Sequence, residues 1–299
     1  MFTIVGFALA MSAFVTGELA SVGLVRPEAR PVLLALGILG ALMLTGGLVY
    51  TLVRQLRRRR VLPPDRYRGP SIVLLLAFAI LLATAATLPF AEDVAAIVLG
   101  EGRASLAGGI VLITRTQVAL LIVSWAFVLR PRAVAFAMPL LGTQRLRALR
   151  LGVGWGILAW IGFSAVTYAV VLLLERLGLE PDVGVAERAI GFLEPWVVVV
   201  AWVIVAPVAE EVFFRGIAFN AWLRERGRRF AYIASAVLFA VIHESLVSLL
   251  PIFLLGLGFG WIYRRTRSLV APIAMHATFN AISVGIALLI RYELIRLPV

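Results

Sequence analysis

No cysteine occurs in the 299 residues, so disulfides and thiolate metal sites are excluded, although this says nothing about the compartment. Lysine is absent too, all 28 basic residues being arginine. Charged residues make up only 15%, and only two histidines are present, His243 and His276. Alternating strand patterns, tandem repeats and low-complexity tracts are missing, which argues against a sheet protein or a repeat array. What remains is apolar. Hydrophobic residues reach 62% and the mean hydropathy is +1.01, too high for an ordinary soluble domain. The expected fold class is therefore all-α, a polytopic integral membrane bundle of 8–9 transmembrane helices.

Nine apolar segments are expected, over roughly 3–25, 31–53, 71–90, 106–129, 151–174, 195–222, 230–244, 246–263 and 269–290. The seventh is short for a span. Residues 1–25 hold no basic residue, the first arginine being Arg26, so a retained span is expected there rather than a cleaved signal peptide. The net charge of +12 is not a nucleic-acid footprint, because the arginines sit at the ends of apolar spans. Nineteen arginines fall in the loops after segments two, four, six and eight, against five in the opposite loops. By the positive-inside bias the first set is cytoplasmic, which places the N-terminus inside and the C-terminus outside. The basic stretch from Arg130 to Arg150 is expected either as a helix along the membrane surface or as a solvated loop.

The segment from Trp196 to Trp222 carries Glu210, Glu211 and Arg215 about halfway along. Ionisable groups at that depth are costly and mark functional sites. Glu211 and Arg215 are spaced i,i+4 and can pair on one helix face. Glu210, about 100° round the helix, then points elsewhere. Pro207, three residues upstream, is expected to bend the helix and free a carbonyl near the acids.

Both histidines fall in apolar segments downstream. Phe239 shares a helix face with His243, and Asn280 with His276. At about 1.5 Å per residue from the cytoplasmic helix ends, Glu210 lies roughly 18 Å deep, His243 about 20 Å, His276 about 10 Å and Asn280 about 17 Å. Three segments thus bring Glu, His, His and Asn near one level. Two other polar groups sit within spans. Glu18 and Arg115 can pair with each other, or Arg115 can bind a substrate carboxylate. The glycines of G-L-G-F-G at 256–260 are expected to let helices pack closely, since no strand precedes them to make a phosphate loop.

E-E-V-F-F-R at 210–215, F-A-V-I-H at 239–243 and H-A-T-F-N at 276–280 resemble the EExxxR, FxxxH and HxxxN signatures of the CPBP family of membrane-embedded proteases. That family includes the CAAX prenyl endopeptidases and bacterial bacteriocin-processing and immunity proteins. The resemblance covers 207–280 and divides the chain into 1–190, N-terminal transmembrane helices without a recognised motif, and 191–299, a protease-like core. It implies an intramembrane endopeptidase in which Glu210 is the general base, His243 assists, and His276 with Asn280 stabilises the oxyanion. Glu211 and Arg215 would hold the helix and orient Glu210, with Phe239 in support. Implied partners are the lipid bilayer and a membrane-anchored or prenylated protein or peptide, with no nucleic acid. The implied location is a prokaryotic plasma membrane, crossed many times.

No cofactor is favoured. The alternative is zinc on Glu210, His243 and His276, whose stoichiometry fits a catalytic site with one open position. Against it, the H-E-x-x-H helix is absent and Asn280 is a poor zinc ligand. Two other functions are weighed. A non-catalytic scaffold or bacteriocin-immunity protein would keep the residues without a substrate. A proton-coupled transporter would be expected to show a matching inverted half, and none is seen.

Overall fold

A computed structural model describes residues 30–63, 65–99, 104–133, 142–179, 190–243 and 245–295. All regular structure among them is helical. In chain order the elements are α1 (Arg30–Arg59), α2 (Ile72–Thr87), α3 (Ala91–Leu99), α4 (Leu106–Ser124), α5 (Arg145–Arg176), α6 (Pro195–Glu225), α7 (Arg228–Val241), α8 (Leu246–Thr266) and α9 (Val270–Arg291). Among the described residues seven helices are long and apolar enough to cross a membrane, with α2 and α3 together forming one of them. The first expected segment, with Glu18, lies outside the described residues. The chain is a helical membrane bundle.

Two compact units are present. The described residues up to Leu62, with Arg68–Leu74, make one, in which Gln55 on α1 accepts from the Ser71 backbone N–H at 2.7 Å. Pro63–Tyr67 and everything from Leu75 make the other, which holds all the motif residues.

Three expectations about segments change. α7 is 14 residues long, a rise of about 21 Å against an apolar core of about 30 Å, so it does not cross by itself. It ends at Val241, which leaves His243 in the turn before α8 rather than inside a helix. Residues 145–150 are neither a surface helix nor a loop but the first turns of α5; 134–141 lie outside the described residues.

Small residues set the helix spacing around the site. α5 packs along α9, where a Cβ added to Gly156 would stand 2.8 Å from the Met275 carbonyl oxygen. α8 packs on α7, where a Cβ on Gly256 would stand 3.1 Å from Ala236 Cα. The G-L-G-F-G stretch therefore serves helix contact, as expected.

α6 is not a uniform α-helix. Two stretches, Val199–Val205 and Val212–Phe219, are wound as π-helix, and they flank the segment Ala206–Glu211 that bears the acid pair. Such widened turns recur at functional sites. Each has a visible cause or compensation. In the π register the Ala206 N–H reaches the Ala201 carbonyl, so the next donor, at residue 207, should reach Trp202. Pro207 has no N–H, and the Trp202 carbonyl is left free. In the second stretch the side chain of Asn220 donates to the carbonyls of Arg215 (2.9 Å) and Gly216 (3.0 Å).

Candidate active site

Glu211 and Arg215 pair as the i,i+4 spacing predicts, Nη1 to Oε1 at 3.0 Å, and both are fully buried. The guanidinium also donates through Nη2 to the Gly256 carbonyl at 3.0 Å, a contact the close approach of α8 permits. Its carbon lies 4.6 Å from the Phe239 ring centroid and 4.9 Å from that of Phe259. A buried cation thus has a carboxylate, a carbonyl and two aromatic faces in place of water.

The same carboxylate oxygen of Glu211 meets Nδ1 of His276 at 3.1 Å. Because an ionised carboxylate only accepts, Nδ1 carries the proton and donates. The other ring nitrogen, Nε2, then faces Glu210, 4.0 Å from its Oε2. The imidazole is stacked on Phe259 at 4.9 Å and packs edge-to-face with Phe239 at 5.9 Å. Glu211 therefore orients His276 directly, where sequence reasoning had it orienting Glu210.

Glu210 takes its partner from elsewhere. Its Oε1 accepts from Gln117 Nε2 at 3.3 Å, a side chain on α4. Its Oε2 is buried with no hydrogen-bond partner among the described residues. Gln117 was missed by sequence reasoning, which noticed T-R-T-Q only for Arg115. The available signal was a second polar side chain inside the same apolar span. Arg115 is half-buried and makes no hydrogen bond or ion pair among the described residues.

His243 follows Phe239 by one turn, with Nδ1 2.7 Å from the Phe239 carbonyl oxygen and its ring 4.8 Å from the Phe239 ring. A carbonyl only accepts, so Nδ1 donates and Nε2 is left as an acceptor. Asn280 donates through Nδ2 to the Trp202 carbonyl at 2.6 Å. That is the carbonyl Pro207 leaves free. The second N–H of the amide remains available.

One cavity of about 370 Å³ joins these groups. Glu210, His243, His276, Asn280, Gln117 and Phe239 all line it, with Trp202, Phe163 and Phe279 among its apolar walls. The four expected chemical groups are thus brought to one space, with Phe239 beside them. Glu211 and Arg215 stand behind it.

Zinc would have to take its ligands from the groups that line this cavity. Glu210, His243 and His276 supply suitable atoms, and both histidines have Nδ1 engaged in the manner of metal ligands. Yet among the described residues no three His, Asp or Glu side chains cluster closely enough to hold an ion.

Comparison with known proteins bears on this region. Residues 192–282 match the Rce1-like family of type II CAAX prenyl endopeptidases, a span that contains all seven motif residues. That match supports the resemblance of this region to the CPBP family. A "putative membrane peptidase YdiL" of Bacillus subtilis (strain 168) is 36% identical over 77 residues. That match covers 26% of this chain and 32% of the relative, so the chain spans about a third of the relative's length. No solved structure matches the chain significantly. Gln117 lies outside the matched region.

Proposed function

We propose that the protein is an intramembrane endopeptidase that hydrolyses peptide bonds of membrane-anchored, CAAX-like protein or peptide substrates in a prokaryotic plasma membrane. The observation that carries this reading is the single cavity in which a buried carboxylate oxygen of Glu210 faces His276 while Glu211 fixes that histidine from behind. Glu210 Oε2 takes a proton from water as the oxygen attacks the scissile carbonyl, and later passes it to the leaving amine. His243 Nε2 accepts a hydrogen bond from the other O–H of the same water, which stays on the attacking oxygen. The developing oxyanion is met by the free N–H of Asn280 and by His276 Nε2. For Nε2 to donate, the ring must carry both protons. It then stands as an imidazolium between Glu210 and Glu211, and with Arg215 the four charges balance.

In this reading no step is assigned to a metal. The test uses purified protein in proteoliposomes and a library of membrane-anchored peptides, with metal content measured on the same active sample. Glu210→Gln keeps the shape of the side chain but accepts no proton, so cleavage should vanish while folded yield is unchanged. Near-normal turnover in that variant would remove Glu210 as the base. One tightly bound zinc per chain, lost together with activity in His243→Ala, would replace the metal-free mechanism with a metalloprotease.

A further inference from the structure

A second cavity, of about 450 Å³, opens where the start of α5 meets the end of α8, on the arginine-rich side of the bundle. Arg147, Arg265 and Gln144 line it together with Trp155 and Trp261, and no acidic side chain among the described residues does. The two indoles meet edge to face at 4.9 Å, and each is about 40% exposed. A neighbouring cavity of about 340 Å³ shares Trp261 and Arg265 and adds Arg228 and Arg264. Inward from Trp155 runs a third, apolar hollow of about 290 Å³, between Leu158 and Gly162 on α5 and Pro251, Leu254 and Gly258 on α8. Its inner end reaches Phe163 and Leu255, which also line the cavity holding Glu210.

We propose that this chain of cavities is a binding site for one anionic phospholipid, its phosphate between Arg147 and Arg265 and one acyl chain along the α5–α8 hollow. Guanidinium groups match phosphate oxygens in geometry and charge. Tryptophan is favoured at headgroup level, where one side of the ring is wet and the other apolar. The length is also right. From Leu151 to Phe163 is twelve residues, a rise of about 18 Å, close to half of the roughly 30 Å hydrocarbon core and so to one leaflet. Leu158 and Leu254 are 56% and 44% exposed, which leaves the hollow open sideways to lipid. A free phosphate would account for the arginines but not for an apolar hollow continuous with them.

The test does not depend on proteolysis. The full-length protein is equilibrated with vesicles of equimolar phosphatidylglycerol and phosphatidylcholine, extracted in mild detergent, and its retained lipid weighed by native mass spectrometry. One phosphatidylglycerol per chain should be held in preference to phosphatidylcholine. Arg147→Gln with Arg265→Gln should reduce that preference roughly tenfold or more. Both arginines are exposed, so folding is not at risk. Nothing lies within 4 Å of a Cβ built at Gly162, so Gly162→Leu starts into open space along the hollow and should lower retention with the arginines intact. Equal retention of the two lipids by the unaltered protein would overturn the proposal, as would unchanged retention in the double arginine variant. Displacement of the lipid by millimolar inorganic phosphate, with no effect of Gly162→Leu, would show an anion site and not a lipid site.

Discussion

Gln117 carries no motif, yet it is the side chain that touches Glu210. Its amide donates to Oε1 at 3.3 Å, which leaves Oε2 as the oxygen turned toward His276. On the proposed mechanism this makes Gln117 a positioning residue for the base. Gln117→Met keeps volume and removes the donor. A hydrogen bond to a charged group contributes about 1.5–3 kcal/mol, so kcat should fall roughly ten- to a hundredfold. KM and the thermal midpoint should hardly move, and a rise in KM alone would place Gln117 in substrate binding instead. The partner acid behaves differently. Glu211 compensates Arg215, which is fully buried, and breaking such a pair costs about 3–5 kcal/mol. Glu211→Gln should therefore lower the thermal midpoint and folded yield, and Glu211→Gln with Arg215→Met should recover part of the loss. Equal stability of the single variant and the unaltered protein in a thermal-shift assay would refute this account. The i,i+4 pair was legible from spacing. The Glu211–His276 contact, between residues 65 apart on different helices, was not.

Within α6 the useful signal was Pro207. A proline in an apolar helix announces a missing donor, and the carbonyl it frees proves to be that of Trp202, held by Asn280. What the sequence could not reveal was the π winding on both sides, because it depends on side-chain bonds such as those of Asn220, whose amide caps two carbonyls of its own helix and also reaches Tyr263 Oη on α8 at 2.9 Å. The consequence is a linkage between Pro207 and Asn280. Pro207→Ala restores an N–H that competes for the Trp202 carbonyl, and so loosens the amide of Asn280 without touching the cavity. Asn280→Ala removes an oxyanion donor outright, a change that typically costs about a hundred- to a thousandfold in turnover. Pro207→Ala should cost less than that, with the helix itself no less stable. If the proline acts through Asn280, adding Pro207→Ala to Asn280→Ala should reduce kcat no further. Full additivity in kcat across that cycle would uncouple them.

At the scale of the whole molecule, hydropathy made the helical bundle and most spans legible, since every backbone group in lipid must be paired within a helix. It marked α7 as apolar but short for a span, and its 14 residues pack against α8, which fits a buried helix too short to cross the apolar core unaided. Orientation rests on the arginines, and the absence of cysteine makes it simple to measure. A single introduced cysteine is the only thiol in the chain. Thr143 and Arg226 flank helix ends on the arginine-rich side, and Leu179 follows α5 at the other end; all three are exposed. In intact cells an impermeant maleimide should label Leu179→Cys, and should label Thr143→Cys and Arg226→Cys only after the membrane is opened. The reverse pattern would invert the orientation. Labelling of both Leu179→Cys and Arg226→Cys from outside would be the more serious result. Those positions are separated by α6 and by residues 180–194, so equal access would mean that the helix bearing Glu210 does not cross the membrane, and the buried acid pair would need a different explanation.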